Sequence, residues 1–168
     1  DPAGAIAARY RKIHLFDVKL DNGEQYRESN SFEPGEQVVV ADTPFGRLGL
    51  AVCYDLRFPE LFRRMQEQGA EIFAVPAAFT AHTGKAHWEV LLRARAIENL
   101  VYVIAAAQDG RHANGRETYG DSMIVNPWGE VLARLAHGVG HVIAECDHAR
   151  LQEVRKNLPS IRHRRLSS

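Results

Sequence analysis

The chain has 168 residues, 45% of them hydrophobic and 25% charged, with 21 Lys+Arg balancing 21 Asp+Glu. That is enough chain to bury one core, and the balance excludes a global field that would recruit nucleic acid or an anionic membrane. Two cysteines, Cys53 and Cys146, make no disulfide framework, and without a signal peptide or long apolar run they predict a reducing, cytoplasmic setting.

In chain order, Asp1-Pro2-Ala3-Gly4 reads as a hairpin turn, and residues 5–10 alternate in polarity like the strand that follows it. The strand before the turn is therefore expected to be missing, with an N-terminal portion. Residues 20–32, polar around Asp21-Asn22-Gly23, read as a long loop. Strands are predicted at 38–40 and 47–52, joined by a turn at Thr43-Pro44-Phe45-Gly46. The pattern predicts a helix over 59–68, opened by Pro59 and stopped by Gly69. A buried strand at 72–75, a small-residue loop at 77–85 and an amphipathic helix at 86–99 follow. Residues 101–107 are apolar on both faces, like a central strand, and 109–119 read as a polar loop. A hairpin is predicted from 123–125 and 131–133 across Asn126-Pro127-Trp128-Gly129, then a strand at 142–146. Asp147 caps a final helix that ends before Pro159. Residues 158–168, with Arg162-His163-Arg164-Arg165, form a basic tail that is solvated or meets a partner. The sum is one α/β domain over 1–168 with a layered sheet.

The chemistry centres on Cys53, which ends a buried strand just before a helix. A thiol at the positive end of a helix is shifted toward thiolate, the form that attacks carbon. Such a nucleophile also needs a cation, an oxyanion site and a proton carrier. Lys12 is the candidate cation, at the end of the first predicted strand, and the Tyr54 backbone N–H is a second oxyanion contact. Taken singly, a lysine after a strand is mostly solvated and a lone cysteine is mostly an inert core thiol.

Two segments, Tyr10-Arg11-Lys12-Ile13-His14-Leu15-Phe16-Asp17 and the run from Gly46 through Cys53-Tyr54-Asp55-Leu56-Arg57-Phe58-Pro59-Glu60, together resemble the nitrilase superfamily of carbon–nitrogen hydrolases. The resemblance continues in order through His87-Trp88-Glu89, Arg93 to Asn99, Tyr119-Gly120-Asp121-Ser122 and Pro127-Trp128-Gly129. It implies a four-layer α-β-β-α sandwich, here lacking its N-terminal strands and helices, and a Glu–Lys–Cys triad. By that resemblance Cys53 is the nucleophile, Lys12 the triad lysine and Glu28 an auxiliary glutamate. The general-base glutamate belongs to a portion upstream of Lys12, so the chain as written is expected to have crippled catalysis.

Within the superfamily, Pro76-Ala77-Ala78-Phe79-Thr80 and Thr83-Gly84 resemble the Nit branch, which implies ω-amides of small carboxylate-bearing compounds, deaminated glutathione among them. Arg57 is then a candidate carboxylate clamp, or else an ion-pair partner of Asp55 or Glu60. Phe79 and Thr83 are candidates to line the acyl pocket, or pack their loop. The resemblance implies a homodimer, a small-molecule amide substrate and no metal or organic cofactor. His137 and His141 are separated by glycines and make no metal-ligand helix. Two rival readings stand beside it: a non-catalytic dimerising fragment, and a papain-like hydrolase pairing Cys53 with His82 or His87.

Overall fold

The computed structural model describes residues 1–166, and it resolves the segment read as a long loop into a hairpin. Strands β1 (Asp17–Lys19) and β2 (Gln25–Arg27) pair antiparallel, with Val18 opposite Tyr26. The turn that closes them is the Asp21-Asn22-Gly23 stretch, where Leu20 N–H donates to Glu24 O and Gly23 takes φ +91°. Asn-Gly supplies the positive φ that a tight hairpin needs. A 3-10 turn over Glu28–Asn30 follows, so the hairpin carries Glu28 back beside the lysine segment.

The main frame is a six-stranded mixed sheet. Strands β3 (Val40–Thr43) and β4 (Gly46–Leu50) form an antiparallel hairpin, and β4, β5 (Ile72–Ala74) and β6 (Tyr102–Ala105) run parallel. Parallel neighbours need a crossover. Helix α1 (Pro59–Glu67) supplies the first and α2 (Ala81–Asn99) the second. β9 (Ser122–Val125) and β10 (Val131–Leu135) complete the far edge as the expected hairpin.

Alternation along the strands sends Phe73, Val103 and Met123 to one face. There they bury against Phe62 and Met65 of α1 and Trp88 and Leu92 of α2 in a single cluster. Ile72 and Tyr102, one residue out of phase, point the other way and meet Leu151 of α3 (His148–Asn157) in a smaller cluster. Ile104 on that second face remains 37% exposed. A helical layer packed on a sheet layer is thus present among the described residues.

Helix α2 starts five residues before the predicted 86, because Thr83-Gly84 is not a turn. Thr80 caps the helix, its hydroxyl accepting from Thr83 N–H. A Cβ on Gly84 would lie 2.3 Å from Tyr119 Cβ and 2.4 Å from its Cγ. Tyr119 ends β8 (Glu117–Tyr119), which pairs with β7 (Asp109–Arg111) where a polar loop was predicted. Gly84 therefore serves close approach, not flexibility. Gly84→Ala is expected to lower stability by about 1–2 kcal/mol despite alanine's better helix propensity, because overpacking outweighs that gain. Thermal melting checks it; a raised melting temperature would contradict the packing argument.

Two predicted strands, 5–10 and 142–146, form no ladder among the described residues. Alternating polarity makes a strand only where a neighbour accepts its backbone bonds, and Ile6 and Ile143 are 73% and 83% exposed. The basic tail folds back on α1 through Arg164 and Glu67, 2.5 Å apart, while its last two residues lie outside the described residues. No helix among the described residues is long and apolar enough to cross a membrane.

Candidate active site

After β4 the chain stays pinned to its parallel neighbour up to the sulfur. Ala51 N–H donates to Ala74 O and Cys53 N–H to Pro76 O, at 3.1 and 2.9 Å. Cys53 then takes φ +51°, a left-handed conformation that costs a side-chain-bearing residue about 1–2 kcal/mol. The strain turns the chain at once into a 3-10 turn, Cys53–Arg57, that leads into α1. Strain of this kind persists only where the surroundings over-determine it.

Asp55 does much of that. Its side chain is fully buried and accepts from Val52 N–H and Tyr10 Oη, each at 2.8 Å, and from His14 N–H at 3.0 Å. His14 Nδ1 lies 2.8 Å from the same carboxylate, and the His14 ring stacks on Phe58 at 3.7 Å. Burial first, then Asp55, pushes the Tyr10 hydroxyl well above the usual phenol range, so it stays a donor. Asp55 thus ties residues 10–14, and with them Lys12, to the turn that holds Cys53. Asp55 is therefore not the ion-pair partner of Arg57 that the sequence offers: its oxygens are taken by Val52, Tyr10 and His14.

Lys12 Nζ pairs with Glu28 Oε2, and the same oxygen accepts Phe16 N–H at 2.6 Å. Lys12, Glu28 and Cys53 line one cavity of about 840 Å³. Burial pushes the Cys53 thiol up, and this outweighs three opposing influences: the Ala78 N–H at the sulfur, Lys12 and Arg116. Glu28 adds to the rise. The expectation of a thiolate made ready by a helix end is therefore corrected: the turn at Cys53 is five residues of 3-10 helix, and desolvation dominates. Arg116, from the β7–β8 hairpin, also lines the cavity. Sequence reasoning missed it because its segment read as a loop; Asn114-Gly115 was the available hairpin signal.

The other predicted residues sit differently. Tyr54 packs edge-on against Phe16 and Phe58, at 4.9 and 5.3 Å, and its amide is among the first of the 3-10 turn, groups that lack acceptors within the turn. Arg57, Phe79 and Thr83 do not line the main cavity. They border a narrow gap of about 10 Å³ beside Cys53, with room for about one water. Arg57 Nη1 lies 3.1 Å from His87 Nδ1 and its guanidinium 5.0 Å from the Phe79 ring; Phe79 packs on Trp88 and Thr83 bonds Thr80. His82 pairs with Asp21 at 2.7 Å. Neither His82 nor His87 lines the cavity with Cys53.

Residues 1–156 match the carbon–nitrogen hydrolase family. The chain belongs to that family. It is 50% identical over 169 residues to the deaminated glutathione amidase of Yersinia enterocolitica, covering 100% of this chain and 59% of that protein. Among solved structures it is similar to the C. elegans NitFhit protein, with a TM-score of 0.92 and 46% identity over 98% of this chain and 40% of that one. An amidase from Nesterenkonia sp. AN1, seen with the acetamide moiety of fluoroacetamide covalently added at its active site cysteine, is 33% identical, with a TM-score of 0.65 over 76% of this chain and 45% of that one. The chain thus spans about three fifths of the length of the Yersinia relative. The helical layer and mixed sheet are those of the nitrilase-type α/β fold.

Proposed function

We propose that the chain carries the nucleophile of an amidase cleaving the C–N bond of a small, carboxylate-bearing ω-amide. Deaminated glutathione is one such substrate, by analogy with the similar amidases. The observation that carries this reading is one cavity shared by a strained cysteine and a lysine–glutamate ion pair. The Cys53 sulfur attacks the amide carbon, a C–S bond forms, and the carbonyl electrons move onto oxygen. Lys12 Nζ and the Tyr54 N–H hold that oxyanion. Its collapse breaks the C–N bond, and the thiol proton leaves with the nitrogen as ammonia. Water then attacks the thioester, releasing a carboxylate and restoring the thiol.

Because burial keeps Cys53 protonated in the resting site, attack requires a base to take the proton as the C–S bond forms. Glu28 is the one carboxylate lining the cavity among the described residues, and it is engaged with Lys12 and the Phe16 amide. Its role is to orient Lys12. The 168-residue chain by itself is therefore expected to release ammonia about 10²–10⁴ times more slowly than a family member with a free general base. Assay on ω-amides of keto acids tests this; turnover at the full rate would refute it. The papain-like reading lacks its histidine in the cavity. The reducing compartment suited to two free cysteines and a homodimer through α1 and the basic tail belong to the same proposal.

A further inference from the structure

Lys12 is bracketed by two side chains that hold one buried carboxylate. Tyr10, two residues before it, donates its hydroxyl to Asp55 Oδ2 at 2.8 Å and accepts Ile13 N–H at 3.2 Å. His14, two residues after it, meets Asp55 Oδ1 twice, through its backbone amide at 3.0 Å and ring Nδ1 at 2.8 Å. An ionised carboxylate only accepts, so Nδ1 carries the ring proton and donates it. Asp55 itself lies two residues beyond Cys53, within the nucleophile turn.

His14 also grips the end of that turn. Its ring lies 3.7 Å from the Phe58 ring and within 5° of parallel, and Phe58 N–H closes the turn on Asp55 O at 3.0 Å. Only 25% of the His14 side chain is exposed, so these contacts are largely sheltered from competing water. A lysine carries its charge on a flexible stem. The place of its ammonium is therefore set by what holds the tip and what holds the backbone. Glu28 holds the tip; Asp55 holds the backbone on either side.

We propose that His14 is a positioning residue for the amidase reaction, its bond to Asp55 fixing the Lys12 ammonium relative to the Cys53 sulfur. This rests on the amidase reading above and deepens it. A donor to a developing oxyanion acts from a fixed place, and a misplacement of about 1 Å costs about 10² in rate. The groups whose charge reaches the Cys53 thiol are Lys12, Arg116, Arg57 and Glu28. A change at His14 thus acts on the sulfur by way of Lys12.

The test is a double-mutant cycle read on Cys53 alkylation by iodoacetamide across pH, which needs no turnover. His14→Leu should move the profile up and slow alkylation at neutral pH about threefold or more. In a Lys12→Met background the same substitution should change nothing further. His14→Asn keeps a donor where Nδ1 stood and should fall between wild type and His14→Leu. Equal slowing in both backgrounds, no slowing in either, or an Asn variant no better than Leu overturns the proposal. If His14→Leu fails to fold, Tyr10→Phe, which removes one hydroxyl from the same carboxylate, runs the same cycle with the same expected and contrary results. On glutaramate, His14→Leu should lower kcat about 10- to 100-fold with KM little changed; a raised KM at unchanged kcat overturns the proposal. If no amide is hydrolysed but the cycle holds, the amidase reading fails and the clamp on Lys12 stands. If amides are hydrolysed and the two substitutions act independently, the clamp falls and the amidase reading stands.

Discussion

Cys53→Ala is expected to abolish ammonia release from ω-amides, by about 10⁴-fold or more, because Cys53 is the one thiol lining the cavity among the described residues. The substitution removes only a sulfur from a position whose geometry is set by backbone bonds to Pro76 and by Asp55, so the melting temperature should change little. Cys146, the other thiol, lies with Tyr102 on the opposite side of the sheet from α1 and α2, and Cys146→Ala should leave turnover intact. Loss of activity in the Cys146 variant with retention in the Cys53 variant would refute the assignment.

Lys12→Met should cost about 10²–10³ in kcat, the usual toll of removing one donor to a developing oxyanion. A second consequence is specific to this site. Lys12 is one of the influences holding the Cys53 thiol down against burial, so its loss should move the pH profile of Cys53 alkylation further up. A purely structural lysine would change stability without moving that profile. The variant also leaves Glu28 facing the cavity without its partner, which costs stability of its own. Combining Lys12→Met with Glu28→Gln should therefore recover melting temperature while leaving turnover low. Recovered turnover in the double variant would mean that Lys12 acts only by neutralising Glu28.

The parts of this account that could be read from sequence are the local ones. The strand into Cys53, the proline-opened α1 and the Asn126–Gly129 hairpin each declare themselves within a few residues, and so do the strings around Lys12 and Cys53. What escaped is long-range or polar. The β1–β2 and β7–β8 hairpins carry at most one apolar or aromatic residue per strand to betray them, yet they deliver Glu28 and Arg116 to the cavity. Asp55 reaches 41 and 45 positions back to His14 and Tyr10, a pairing no periodicity reveals. Gly84 fell inside the predicted small-residue loop because its reason, the Tyr119 ring, lies on another hairpin. Residues 5–10 show the opposite case: the alternation is present, but among the described residues no neighbouring strand takes up its backbone groups.

The most direct test of the central claim is to quench the chain during turnover of a slow ω-amide, or after exposure to fluoroacetamide, and map the added mass by peptide mass spectrometry. An acyl or acetamide adduct is expected on Cys53 alone, abolished by Cys53→Ala and diminished by Lys12→Met. Ammonia release with no adduct on Cys53, or an adduct confined to Cys146, would contradict it.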